Sequence, residues 1–134
     1  MKWSVDKFAT FWDNPRPAMP LVKFSLTDNV HGFWPGRRFM TQGKNEYVNC
    51  LVSLVKALPD IRLTVEAYAA HDTCHFVRWL MRATGDNGPF AMTGIDQITV
   101  NDAGLVVSNH IVMDTAWFES KSGNPVPWQV SLRS

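Results

Sequence analysis

The stretch Phe90-Ala91-Met92-Thr93-Gly94-Ile95-Asp96-Gln97-Ile98-Thr99-Val100 decides the fold class. Its even positions Phe90, Met92, Gly94, Ile98 and Val100 are apolar or small, while Thr93, Gln97 and Thr99 on the odd side are polar. A period of two marks a strand with one buried face. Asp96 breaks the pattern, because it falls on the face that should point inward. An unpaired charge is costly there, so this carboxylate needs either a partner or a task.

Neighbouring segments repeat the alternation. Ile61, Leu63, Val65, Ala67 and Ala69 alternate with Arg62, Thr64, Glu66 and Tyr68, which predicts a half-buried strand. Ala70-His71-Asp72-Thr73 reads as a hairpin turn into a strand from Cys74 to Ala83. A loop of even length pairs Val65 with Arg78 and Leu63 with Leu80, and so turns Phe76, Arg78 and Leu80 inward. Tyr68, His75, Val77, Trp79 and Met81 then form an apolar outer face, which predicts an interface. After a loop over Thr84 to Pro89 comes the strand quoted above.

Asn101-Asp102-Ala103-Gly104 turns into a last strand, Leu105 to Phe118. Gly104 suits the left-handed position of a three-residue hairpin loop. That register sets His110 opposite Asp96 and puts Asp114 on the same inner face. A plain four-residue loop swaps the parity and brings Asn109 inward instead.

Helices precede the strands. Val5, Phe8, Phe11 and Trp12 predict a short helix over Ser4 to Trp12, broken by Asn14-Pro15-Arg16-Pro17. A second short helix or turn spans Ala18 to Phe24, and Val30 to Gly36 reads as a short strand ended by Pro35-Gly36. The clearest helix runs from about Gly43 to Leu58, with Tyr47, Cys50, Leu51, Leu54, Val55 and Leu58 on one stripe. Helices followed by antiparallel strands predict an α+β fold, a strongly bent sheet backed by helices. Such a sheet makes a cone whose apolar mouth suits a small molecule.

The chain has 134 residues, enough for one domain spanning 1–134 with a substantial core. A net charge of +1 argues against a nucleic-acid or anionic-membrane partner, since only Arg37, Arg38 and Lys44 cluster. The charged start lacks an apolar signal core, and no apolar run reaches the roughly 18 residues of a membrane span. Cys50 and Cys74 share no motif and read as reduced packing residues, so a cytoplasmic location is expected. His71 and His75 flank a predicted turn without a third ligand, and no metal or other cofactor is expected.

Several strings together resemble the SnoaL-like branch of the nuclear transport factor 2-like superfamily. They are Phe11-Trp12-x-Asn14-Pro15, Asp28-Asn29-Val30, Phe33-Trp34-Pro35-Gly36, Ala57 to Leu63, Phe76-Val77-Arg78-Trp79, Gly94-Ile95-Asp96 and Asn109-x-x-x-x-Asp114. The resemblance covers roughly Phe8 to Trp117. It implies a cone-shaped α+β barrel around an apolar cavity, usually a homodimer formed through the outer sheet face. Relatives of this type include polyketide cyclases, ketosteroid isomerase, scytalone dehydratase and limonene epoxide hydrolase. Asp114 matches the acidic residue that serves as acid or base on the final strand of cyclases and hydrolases. Against the epoxide hydrolase, Leu80 stands where a second aspartate belongs, and His31 and Phe33 replace the tyrosine and asparagine that hold water.

The expected function is proton transfer, without a cofactor, on an apolar carbonyl-bearing molecule, as in a lyase, isomerase or cyclase. The candidate catalytic residues are Asp114, Asp96, His110 and Arg78. Burial raises a carboxylate pKa, Asp96 could orient the His110 imidazole, and Arg78 could steady an enolate. Trp12, His31, Phe33, Trp34, Tyr47 and Phe76 are the candidate ligand-binding residues. The bland readings stand beside these: an Asp96–Arg78 ion pair, a core imidazole at His110, a strand-end cap at Asp114. A non-catalytic binder of hydrophobic ligands, or an accessory dimer, is the alternative function.

Overall fold

The computed structural model describes residues 2–128. Helix α1 (Val5–Asp13) starts at Ser4, whose hydroxyl accepts from the Lys7 amide, and it buries Phe8 and Trp12 one turn apart. After the short α2 (Pro15–Ala18) and a 3-10 segment (Met19–Ser25), the chain enters β1 (Leu26–Phe33). The two-residue β2 (Thr41–Gln42) leads into α3 (Lys44–Ala57), which buries Tyr47, Cys50, Leu51, Leu54 and Val55. Three long strands follow, β3 (Arg62–His71), β4 (Cys74–Gly85) and β5 (Gly88–Val100), then β6 (Val106–Val112) and α4 (Thr115–Ser122).

The sheet order is β2-β1-β6-β5-β4-β3. Strands β1 and β6 run parallel and every other pair is antiparallel, so the sheet is mixed. Helix α1 packs on β3 and α3 packs on β1, both over one face of the sheet. This is the α+β architecture expected from the alternation, and its core lies between that face and the helices.

Two bulges set which side chains face that core. The β5–β6 turn has the expected form: Asn101 bonds Leu105, Gly104 has φ +81°, and Val100 pairs with Val106. One residue later the register shifts, so that Thr99 pairs with Ser108 and Asp96 pairs with Ile111. Val107 is the extra residue. Because side chains alternate, a one-residue shift exchanges the two faces of everything beyond it. Asn109 therefore turns inward at 3% exposure, and His110 turns outward.

The β3–β4 hairpin repeats the event. Asp72, at φ +54°, and Thr73 form the turn, and the ladder runs regularly from His71–Cys74 to Ala67–Arg78. At Glu66 it shifts, and Val65 pairs with Trp79 and Leu63 with Met81. Val77, Trp79 and Met81 are consequently core residues, while Phe76 and Arg78 lie outside. The predicted apolar outer patch thus belongs to the inner face. At its far end His75 packs on Trp3 and bonds the Tyr68 hydroxyl.

The last strand also ends early. It stops at Val112, and the exposed Asp114 caps α4 by accepting from the Trp117 amide at 3.0 Å. Gly123, with φ +84°, closes that helix, and Phe118 packs edge-on against Phe90.

Candidate active site

Asp96 is 6% exposed and sits in the middle of β5, opposite Val77 on one side and Ile111 on the other. Its two oxygens are held by different neighbours. The Trp79 indole donates to Oδ1 at 3.0 Å, and the Asn109 amide donates to Oδ2 at 3.0 Å. The same Asn109 nitrogen donates to the Tyr47 hydroxyl at 2.9 Å. An indole and an amide thus hold the carboxylate with a phenol beside them, and among the described residues no cation pairs with it. Arg78 lies on the other face and pairs with Glu66 at 3.4 Å.

Burial pushes the Asp96 pKa up to about 6, and the hydrogen bonds from Asn109 and then Trp79 hold back part of the rise. The Tyr47 phenol is driven well above its ordinary value, first by burial and then by the Asp96 charge. It stays a neutral donor across the physiological range.

Two glycines make the arrangement possible. A Cβ on Gly94 would lie 2.2 Å from Cη2 of Trp79, so the indole can lie flat over this strand only because β5 has no side chain there. On β1, a Cβ on Gly32 would meet Trp34 Nε1 at 2.4 Å and Thr41 Oγ1 at 2.5 Å. Those two atoms form a buried 3.0 Å hydrogen bond that fixes Trp34 against the Tyr47 ring.

A cavity of about 420 Å³ opens beside this cluster. Asp96, Asn109 and Tyr47 supply its deep polar spot, while Trp12, Trp34, Met81 and Trp128 are among its apolar walls. Leu21, Lys7 and Asp6 stand at its helical side. The volume falls in the range of small-molecule sites, roughly 300–1,000 Å³, and a mostly apolar wall with a few convergent polar groups is their usual form.

Of the sequence-predicted residues, Asp96, Trp12, Trp34 and Tyr47 line the cavity, and the other six do not. Arg78 and Phe76 are turned outward by the Glu66 bulge, and His110 by the Val107 bulge. His31 and Phe33 alternate with the inward Val30 and Gly32, and Phe33 instead stacks on His110 with ring centroids 3.9 Å apart. Asp114 is occupied as a helix cap.

Sequence reasoning missed Trp79 and left Asn109 as an alternative. A signal for Trp79 was present: Gly85-Asp86-Asn87-Gly88 is a two-residue turn that pairs odd β4 positions with even β5 positions. Once Asp96 and Met92 are read as inward, Trp79 and Met81 must follow. Among the described residues no group of three or more His, Cys, Asp or Glu is placed to hold a metal ion, and no helix is long and apolar enough to cross a membrane.

No protein-family model matches the chain, and no curated protein sequence does. Solved structures do. A hypothetical protein with a ketosteroid isomerase-like fold from Catenulispora acidiphila DSM 44928, in complex with trimethylamine, superposes with a TM-score of 0.76 at 12% identity, covering 94% of this chain and 96% of that one. The "Putative SnoaL-like polyketide cyclase" from Jannaschia sp. CCS1 gives 0.73 at 15% identity, with 90% and 92% covered. An NTF2-like protein of unknown function from Burkholderia pseudomallei K96243 gives 0.74 at 17%, with 91% and 100% covered. The chain shares the fold of these NTF2-like, SnoaL-like and ketosteroid isomerase-like structures. A protein of unknown function with a cystatin-like fold from Xanthomonas campestris, at TM-score 0.72 and 13% identity with 90% and 95% covered, shares it as well. At these identities the nuclear transport factor 2-like likeness carries the architecture, and the chemistry must come from this chain's own side chains.

Proposed function

We propose that the protein is an enzyme of the lyase, isomerase or cyclase type, in which Asp96 exchanges a proton with an apolar carbonyl compound held in the cavity. The observation that carries this reading is a carboxylate at a mostly apolar cavity, held by neutral donors from Trp79 and Asn109 and, among the described residues, paired with no cation. Such a group remains basic enough to take a proton near neutral pH. In the step, the Asp96 carboxylate removes a proton from the carbon beside the carbonyl, and the electron pair moves onto the carbonyl oxygen. The Tyr47 O–H donates a hydrogen bond to that oxygen as its charge grows. Protonated Asp96 then returns a proton to the same carbon or a neighbouring one.

The test is hydrogen–deuterium exchange at the methyl group of 2-acetylnaphthalene in D2O, followed by NMR. The wild-type protein should accelerate exchange, and Asp96→Asn should lose about 10²–10⁴ of that acceleration while staying folded. Equal exchange in both proteins sinks the proposal. A second reading, a non-catalytic binder, is favoured by one fact: of the two carboxylates predicted to face inward, only Asp96 does. That reading predicts binding of 2-acetylnaphthalene with no exchange in either protein.

A homodimer through the outer sheet face belongs to the same proposal, with different residues from those the alternation suggested. Phe76, Ile95 and Val112 are 42%, 38% and 63% exposed there, and Ile95 pairs directly with Val112. An apolar row on an uncovered sheet face supports self-association. Light scattering at micromolar concentration should give twice the chain mass, and Val112→Lys should give the monomer. A monomeric wild type refutes the dimer.

A further inference from the structure

The cavity has two unlike lips. Of its wall residues the exposed ones are Asp6, Lys7 and Thr10 on α1 and Leu21 on the 3-10 segment Met19–Ser25, so it opens between those two elements. The α1 lip is polar and firmly held, because that helix buries Phe8 and Trp12 and packs on β3. The other lip is apolar and loosely held. None of the seven residues of Met19–Ser25 is buried. A 3-10 run rarely exceeds three or four residues, since its hydrogen bonds are poorly aligned, and Pro20 has no N–H to contribute. The segment hangs between two anchors, the buried Pro15 and the buried Leu26. Stretches with few buried contacts open locally at low cost, and active-site lids are drawn from them.

Two large apolar side chains mark the inner edge of this lip. Three residues per turn bring Leu21 and Phe24 to one side of the segment, and each is 52% exposed. Leu21 already reaches the cavity. Phe24 does not line it, and the Lys23 ammonium sits 5.5 Å from the centre of the Phe24 ring. A roll of the segment toward α1 carries Phe24 over the mouth beside Leu21. We propose that Met19–Ser25 is a lid: an apolar molecule in the cavity draws the segment inward between Pro15 and Leu26, and Leu21 and Phe24 close over it. The inference rests on the reading of the cavity as a small-molecule site and adds a moving part to it. Closure buries apolar surface on lid and ligand together, so the ligand itself favours the closed form. It also shuts water away from Asp96 while the proton is exchanged.

Phe24 is the discriminating residue, since a static wall does not include it. Binding of 2-acetylnaphthalene is read from quenching of tryptophan fluorescence, as Trp12, Trp34, Trp79 and Trp128 line the cavity. Phe24→Ser, a change at an exposed position, should fold normally and bind about tenfold more weakly, the equivalent of burying roughly half a phenylalanine side chain. Val112→Ser, exposed on the outer sheet face, should bind as the wild type does. A second measurement reads the motion itself. In Phe24→Cys combined with Cys74→Ser, the introduced thiol should react with a disulfide reagent about tenfold more slowly once 2-acetylnaphthalene saturates the cavity, a closed-to-open ratio of about ten. Cys50 is buried and adds no fast phase. Equal binding by wild type and Phe24→Ser, or a thiol at position 24 equally reactive with and without 2-acetylnaphthalene, overturns the lid and leaves the cavity as a ligand site. Failure of the wild type to bind overturns the lid and that reading together.

Discussion

Asn109 and His110 are chain neighbours on one strand, yet they live in different solvents. Asn109 lies in the core and shares its amide between a phenol and a carboxylate. His110 lies outside, stacked on Phe33. The same division separates Trp79 from Arg78 and Asp96 from Ile95. On the inner face Asp96, Asn109, Trp79 and Tyr47 are buried and bonded into one cluster, and Asp96 and Tyr47 are shifted from their ordinary pKa values; on the outer face Arg78 and Glu66 form a surface pair of the kind worth ~0–1 kcal/mol. The proposed acid–base chemistry thus belongs to one face, and the bulges at Glu66 and Val107 decide which residues share it.

Reversing the parity of β6 gives the largest expected effect. Deletion of Val107 alone heals the bulge and leaves Ser108 opposite Thr99 and Asn109 opposite Ile98, so the inner face is kept. Deletion of Val107 and Ser108 together sets Asn109 opposite Thr99 and His110 opposite Ile98, so that His110 would turn inward and Asn109 would face solvent. The cost is an inward-facing set of the wrong residues along the rest of β6. Typical domain stability is only about 5–15 kcal/mol, so the double deletion should leave little cooperative unfolding transition in urea, whereas the Val107 deletion should keep one. A double deletion that folds as well as the wild type would show that the parity of β6 does not set the face.

The bulges also explain what the sequence could and could not tell. The inward face of β5 was legible because five apolar or small positions outvote one aspartate. The α3 stripe, the break at Asn14-Pro15 and the Gly104 turn were legible because each has a local steric cause. The bulges at Glu66 and Val107 were not, since neither residue is a glycine or otherwise announces a backbone kink. Every inner-face assignment that crossed a bulge reversed, which accounts for Arg78, Phe76 and His110 together. Asp114 has a different cause: Asp114-Thr115 followed eight residues on by Gly123 is a helix-capping pattern, and a strand expectation carried through to Phe118 passes over it.

The pH dependence of stability sharpens the contrast between the faces. Asp96 has a folded pKa of about 6, above the ordinary carboxylate value of 3.8. The folded protein therefore holds this proton more tightly than the unfolded chain. Its contribution is most favourable below the unfolded pKa and is lost as pH rises through about 6. A shift of this size is worth about 3 kcal/mol. Urea unfolding at pH 4 and pH 8 should show wild type losing most of that relative to Asp96→Asn. Trp79→Phe removes a donor that lowers the Asp96 pKa, so its exchange profile should rise at higher pH than the wild type's. Coincident stability profiles for wild type and Asp96→Asn would mean that Asp96 is not desolvated.

The smallest effect belongs to the carboxylate outside. Asp114 is exposed, and its carboxylate accepts from the Trp117 amide at the start of α4. Loss of such a cap costs about 1 kcal/mol, and less when serine replaces the aspartate, because serine caps nearly as well. Asp114→Ala should lower the unfolding free energy from urea titration by that increment, Asp114→Ser should restore it, and neither should change exchange of 2-acetylnaphthalene. The serine rescue separates a cap from a catalytic group, since a hydroxyl can accept from an amide but cannot replace a carboxylate base. Exchange lost in Asp114→Ser would move the chemistry to the outer end of the strand and dissolve the division between the faces.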